Sequence, residues 1–302
     1  MVGIGSLISE ELKFLDEFLS ALDLKQNPDV FAVLLAGSHA RGTSDELSDV
    51  ELLIWVNTLE EFSSRNSALR HQVLALPEVI PFVLHEEVSE NTHQVNDSVW
   101  FGQNQRMDLM YADSFRLHEI AQTISTTSRV DPSYQSIICS LNDSTFLHRS
   151  NHCPEFPFPI GYTEEIAKST LVYGVAQIKL QMLEISQQRQ DFILVRHILL
   201  NFCRGYLTCL FALNNSFMPG YKHLRKTLAH LPKKPPKVAE RLDTIMSTPL
   251  KDSTLKNTIQ VLWDELKELD AENTWHEILP TKLEFSSSRQ IPPQQKPKLT
   301  IF

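Results

Sequence analysis

Two carboxylates, Asp49 and Glu51, stand one residue apart in SDVELLIWV, where an apolar run begins. Side chains on a β-strand alternate faces with a period of two, so this pair projects together. Upstream, the run VFAVLLA ends in Gly37-Ser38, and Arg41 follows. A glycine lets the backbone approach an anion closely, and N–H groups opening a helix favour negative charge. Ser38 adds a hydroxyl donor and Arg41 a cation. A hard ion such as Mg2+ prefers carboxylate oxygens together with substrate phosphates, so Asp49 and Glu51 beside a phosphate-holding turn form a natural metal cradle.

Two-metal transfer chemistry at phosphorus needs further negative charge and a base near the attacking hydroxyl. Asp108 in RMDLMYAD is the leading third acid. It lies between Met107 and Leu109, so it points to the opposite face from theirs, into a cleft instead of a core. Asp113, at the end of the same run, is the fallback. Each of these features alone is commonly a turn or a solvated face. All of them in this order, with Arg41, carry the reading.

The elements that must position these residues follow from periodicity. Residues 6–23 place Ile8, Leu12, Leu15, Leu19 and Leu22 on one helical face, with Ser6 as N-cap. Asn27-Pro28-Asp29 breaks the chain before a buried strand at 30–36. A short helix at 38–42 and a loop lead to the strand 50–56. A weak amphipathic helix spans 59–76, a strand 79–85, and a hairpin joins 98–102 to 106–112. The first half is therefore α/β, with a mixed sheet of about four or five strands. Helix is expected at 113–128, 163–186, 191–213, 221–230, 236–246 and 253–269. The proline- and aromatic-rich SNHCPEFPFPIGY, 150–162, reads as a connector. The expected organisation is a sheet domain over 1–150, an all-α helical bundle over 151–285, and an extended tail over 286–302.

A net charge of −9 argues against a nucleic-acid binder working through bulk electrostatics. Four cysteines without CxxC pairing or zinc spacing fit a reduced compartment. No leader pattern and no uninterrupted apolar run of membrane-spanning length is visible, so a cytoplasmic protein with no membrane partner is expected. A homodimer remains open.

The string LLAGSHARGTSDELSDVELLIWV, with Asp108 beyond it, resembles the signature of the nucleotidyltransferase superfamily with the polymerase-β-like fold. Within it the closest likeness is to small bacterial enzymes that adenylylate aminoglycosides and lincosamides, which join such a domain to a helical one. The resemblance implies a magnesium-dependent transfer of a nucleoside monophosphate, AMP from ATP, to a hydroxyl of a small molecule. Asp49, Glu51 and Asp108 would hold metal, and Gly37, Ser38 and Arg41 the triphosphate. The departure is Glu51, where aspartate is commoner.

Glu164 and Lys168, four apart in YTEEIAKST, are similar to the acid and lysine that open the helical domain of the kanamycin-type enzymes, the acid as base and the lysine on phosphate. Glu165 is an alternative acid, and Lys222 in PGYKHL competes with Lys168 for the phosphate. Arg196, His197 and Arg204 on one long helix are candidates for an acceptor pocket. Arg225 and His230 have the spacing of the RNA-cleaving pair of HEPN domains, which leaves an RNA-directed alternative. A nucleotide-binding regulatory module with weakened catalysis is the other.

Overall fold

Val30 to Ala36 and Leu52 to Val56 are continuous apolar runs because both faces of the sheet they enter are covered. The structure, a computed structural model, describes residues 14–22, 28–57, 68–84, 94–102, 105–126, 132–249 and 254–285. The chain runs α1 (Phe14–Ala21), β1 (Val30–Ala36), α2 (Gly37–Ala40), β2 (Val50–Val56), α3 (Ala68–Leu74), β3 (Val79–Leu84), β4 (Gln94–Phe101) and β5 (Gln105–Asp113). It continues through α4 (Ser114–Thr126), α5 (Pro132–Asn142), β6 (Thr145–Arg149), α6 (Glu164–Gln177), α7 (Leu183–Arg189) and α8 (Phe192–Leu213). Three helices close it: α9 (Leu224–His230), α10 (Val238–Ser247) and α11 (Leu255–Glu268).

The sheet has six described strands in the order β3-β4-β5-β2-β1-β6. Only β2 and β5 pair in parallel; the other neighbours are antiparallel, which makes the sheet mixed. On one face Leu15 and Phe18 of α1 and Val73 of α3 bury Val33, Ile54, Val99 and Leu109. On the other, Leu117 and Ile120 of α4 and Ile138 and Leu141 of α5 cover Leu34, Leu53 and Trp55.

Several elements differ from the expectation. The strand β6 and the helix α5 were not foreseen. TFLHR is five residues with only Leu147 buried, too weak an alternation to read as an edge strand. The helix expected over 163–186 is broken after Gln177, although no proline or glycine marks the place. The turn there buries both Leu180 and Leu183, so packing overrides local propensity. Residues 6–13, 58–67 and the tail 286–302, on which further expectations fell, lie outside the described residues.

The chain divides into two compact units, residues 1–166 with 215–230, and 167–214 with 231–302. The connector 150–162 groups with the sheet unit because its aromatics are packed there. Phe156 lies 5.5 Å from both Trp55 and Phe146, and Tyr162 lies 4.8 Å from Phe217. In the other unit every described element is a helix. Its centre is α8, the described helix long and apolar enough to cross a membrane by length and composition, whose second half is buried almost throughout. Gly174 of α6 and Gly205 of α8 let these two helices touch: a Cβ at Gly205 would lie 2.4 Å from the Gly174 carbonyl oxygen. Arg196 of α8 donates to the carbonyls of Met246 and Thr248, which ties α8 to the end of α10.

Helix α3 is locked to β4 by a bidentate ion pair. Arg70 Nε and Nη2 each lie 2.6 Å from Asp97 oxygens, with both side chains buried. Removing one partner strands the other charge out of water. Asp97→Ala is expected to cost about 3–5 kcal/mol in chemical denaturation, and Arg70→Met with Asp97→Leu to recover most of it.

Candidate active site

One row across the sheet collects polar side chains from strands far apart in sequence. Ala36 of β1 pairs with Glu51 of β2, Glu51 with Asp108 of β5, and Asp108 with Ser98 of β4. Neighbouring strands run about 4.8 Å apart, so the parallel β2–β5 pairing makes Glu51 and Asp108 next neighbours on one face. Asp49 enters from the residue before β2 and is 8% exposed. Met107 and Leu109 are fully buried on the other face, as the alternation around Asp108 predicts.

The turn after β1 comes close to the acids. Gly37 has φ +66°, in the left-handed region, and a Cβ there would lie 2.3 Å from Glu51 Oε2. Glycine is therefore required twice over, for backbone conformation and for space. The helix that follows is a single turn, so charge on Arg41 and the Ser38 hydroxyl matter more than any helix dipole. Ser38 Oγ and Arg41 Nη1 are both buried with no hydrogen-bond partner among the described residues. Buried polar atoms are normally satisfied, so an orphaned hydroxyl and guanidinium beside a carboxylate cluster mark a place for a polar ligand.

Cations of the protein meet the acids. Lys222 Nζ donates to Asp49 Oδ1 in a close ion pair. Arg106 Nη2 stands 3.4 Å from Asp108 Oδ1 and 3.9 Å from Asp49 Oδ2, and Ser98 Oγ donates to Asp108 Oδ1 at 2.6 Å. Burial raises the Asp49 pKa, but the bonds with Lys222 and Asp108 outweigh it and hold Asp49 below the ordinary carboxylate range. Burial and the neighbouring Asp49 charge push Glu51 the other way, above its usual range, with Lys222 and Arg41 opposing in part. A cavity of about 450 Å³ opens on this face, between Glu51, Asp108, Ser98 and Arg106 on the sheet and Ile137 and Ser140 of α5.

The structure thus brings together Gly37, Ser38, Arg41, Asp49, Glu51, Asp108 and Lys222. Asp113 lies at the far end of β5 and caps α4, its Oδ1 accepting from Arg116 N at 2.8 Å. Glu164, Glu165 and Lys168 are exposed in the first turns of α6. His230 turns its Nδ1 to the Lys226 carbonyl at 2.7 Å. Sequence reasoning missed Ser98, Arg106 and His223. Ser98 and Arg106 carried a signal: Ser98 pairs with Asp108 across the hairpin, and Arg106, two residues before Asp108 on β5, shares its face; His223 carried none.

The acids, as placed, are met by Lys222 and Arg106, and no group of three metal-binding side chains is formed among the described residues. Their chemistry still fits a hard divalent ion: three carboxylates, beside a buried hydroxyl with no partner among the described residues.

Two outcomes follow. Gly37→Ala must displace the Glu51 carboxylate and adopt a disfavoured backbone, costing about 1–2 kcal/mol from the backbone alone; calorimetric or denaturant unfolding reads this. Glu51→Gln is expected to raise the melting temperature near pH 7–8. The raised pKa means that ionising Glu51 works against folding as pH rises through its folded-state value. The difference should close as pH falls below the ordinary value of 4.5, where wild type is neutral too.

No protein-family profile matches the chain. Over 61 residues it is 43% identical to a putative protein adenylyltransferase of Methanocaldococcus jannaschii, a match covering 20% of this chain and 42% of that protein. Two solved structures align over most of the chain. One is a nucleotidyltransferase-like protein of Exiguobacterium sibiricum, with 9% identity, 88% and 74% of the two chains covered and a TM-score of 0.27. The other is an aminoglycoside 6-adenyltransferase of Bacillus subtilis, with 12% identity, 87% and 92% covered and a TM-score of 0.25. Over those 61 residues the chain is similar to an adenylyltransferase, of whose length it spans less than half.

Proposed function

We propose that the protein is a nucleotidyltransferase that moves a nucleoside monophosphate, AMP from ATP, to an acceptor hydroxyl. The carrying observation is the joining of Asp49, Glu51 and Asp108 beside the unpartnered Ser38 hydroxyl. In the reaction the acceptor oxygen bonds to the α-phosphorus and the bond to pyrophosphate breaks. The hydroxyl proton passes to a carboxylate, Asp108 or, as the resemblance implies, Glu164.

Asp49, Glu51 and Asp108 would hold magnesium, which supplies charge neutralisation at the phosphates. Ser38, Arg41, Lys222 and, by the same resemblance, Lys168 would receive the triphosphate. Positioning and electrostatics would supply most of the rate, as in other phosphoryl-type transfers. The cavity beside Glu51 and Asp108 is of a size suited to a small molecule, which supports a small hydroxyl acceptor such as an aminoglycoside. The likeness to a putative protein adenylyltransferase of Methanocaldococcus jannaschii favours a second reading, in which the acceptor is a protein. We infer a cytoplasmic enzyme without a nucleic-acid partner, in keeping with the net charge of −9.

The test is incubation with each α-labelled nucleoside triphosphate and magnesium, against aminoglycosides, lincosamides and cell extract. Label should move from ATP, to a small molecule on the first reading or to a polypeptide band on the second. Asp49→Ala is expected to lower transfer by about 100-fold or more, and a chelator to abolish it. Pyrophosphate release by wild type and Asp49→Ala alike would sink the assignment.

A further inference from the structure

Lys222 reaches Asp49 from a segment that follows the longest helix of the other unit, so something must fix where that segment lands. Its beginning is held by α5: Gln135 Oε1 accepts from Met218 N at 3.0 Å, and Ser136 Oγ donates to the Pro219 carbonyl at 3.3 Å. Its far end is held by Lys226, whose ammonium lies 3.3 Å from the carbonyls of Thr43 and Ser44 and 3.6 Å from Asp45 Oδ2. Between them is His223, with φ +57°. A non-glycine residue persists in that region only where its surroundings over-determine it.

Those surroundings are the loop that delivers Asp49. His223 Nδ1 lies 3.3 Å from Asp45 Oδ2, and Nε2 lies 3.3 Å from Ser48 Oγ. The loop is closed on itself: Asp45 N donates to Ser48 Oγ at 2.9 Å, and Ser48 Oγ donates to Asp45 Oδ1 at 3.0 Å. With its own hydrogen spent, Ser48 Oγ meets the ring as an acceptor, and so does the Asp45 carboxylate. Both ring nitrogens therefore face an oxygen of the turn.

We propose that His223 is a positioning residue: it staples the Asp45–Ser48 turn to the 219–226 segment, so that Asp49 and Lys222 are presented together to the triphosphate. The proposal rests on the nucleotidyltransferase reading of Asp49 and Lys222. It acts through the pair and not on the reacting atoms, so His223 and Lys222 must be energetically coupled.

The experiment is a double-variant cycle read as the dissociation constant of magnesium-ATP by titration calorimetry. His223→Gly removes the ring while relieving the backbone strain, which separates positioning from folding. It is expected to weaken ATP binding by about tenfold in the wild-type background and by less than about twofold in Lys222→Ala. His223→Asn, which tolerates the left-handed backbone and keeps one donor, should recover part of the loss. Equal losses in both backgrounds, or no loss at all, would overturn the proposal. Amide hydrogen exchange at Thr43 and Ser48 without nucleotide gives a second reading: faster exchange in His223→Gly is expected, and unchanged protection overturns the staple whatever ATP does. Wild type that fails to bind ATP, with the exchange effect present, would instead remove the nucleotidyltransferase reading and the presentation role with it.

Discussion

Three carboxylates gathered on one partly buried patch repel one another, and the sheet unit is arranged around that cost. Two like charges about 4 Å apart disfavour each other by roughly 1 kcal/mol in water and several-fold more where water is thin. Lys222, Arg106 and Arg41 answer the charge from three different parts of the chain, and Glu51 holds its proton more tightly than a free glutamate. This explains why residues 215–230, which come after the long α8, belong with the sheet and not with the helices that precede them. The cation they carry completes the acidic patch.

The parallel pairing of β2 with β5 is what makes the patch. Antiparallel neighbours can be joined by a tight turn, but a parallel pair needs a long crossover, here the stretch containing α3, β3 and β4. The crossover also supplies Ser98 and the buried Arg70–Asp97 pair, which fixes β4 against α3. The same excursion that brings Asp108 beside Glu51 therefore builds the edge that supports it.

What was readable in the sequence was local. The β1–turn–β2 order, the shared face of Asp49 and Glu51, and the outward aim of Asp108 between Met107 and Leu109 all follow from a period of two. The helices 191–213 and 253–269 declared themselves by length and pattern, and the structure has α8 and α11 there. What was not readable depended on contacts between distant positions. Lys222 was one of two lysines competing for the phosphate, and only folding places it on Asp49. The break after Gln177 has no sequence marker because buried leucines downstream impose it. His223 gave no signal, since its left-handed backbone and both its ring contacts exist only once the 43–49 loop is in place.

Glu51 was the point at which the chain departs from the aspartate commoner in the superfamily it resembles, and the structure gives that departure a geometric partner. The glutamate carboxylate lies where a Cβ on residue 37 would be. An aspartate on the same strand position is one methylene shorter, about 1.5 Å, and its carboxylate would not fill that space. Gly37 and Glu51 are thus complementary: the missing side chain of one admits the added length of the other. The longer acid is pressed against the turn that carries Ser38 and Arg41, and it stays within the field of Arg41, which opposes the rise in its pKa. Charge at position 51 is therefore kept next to the phosphate turn by packing, and any change in the turn backbone is felt first at that carboxylate.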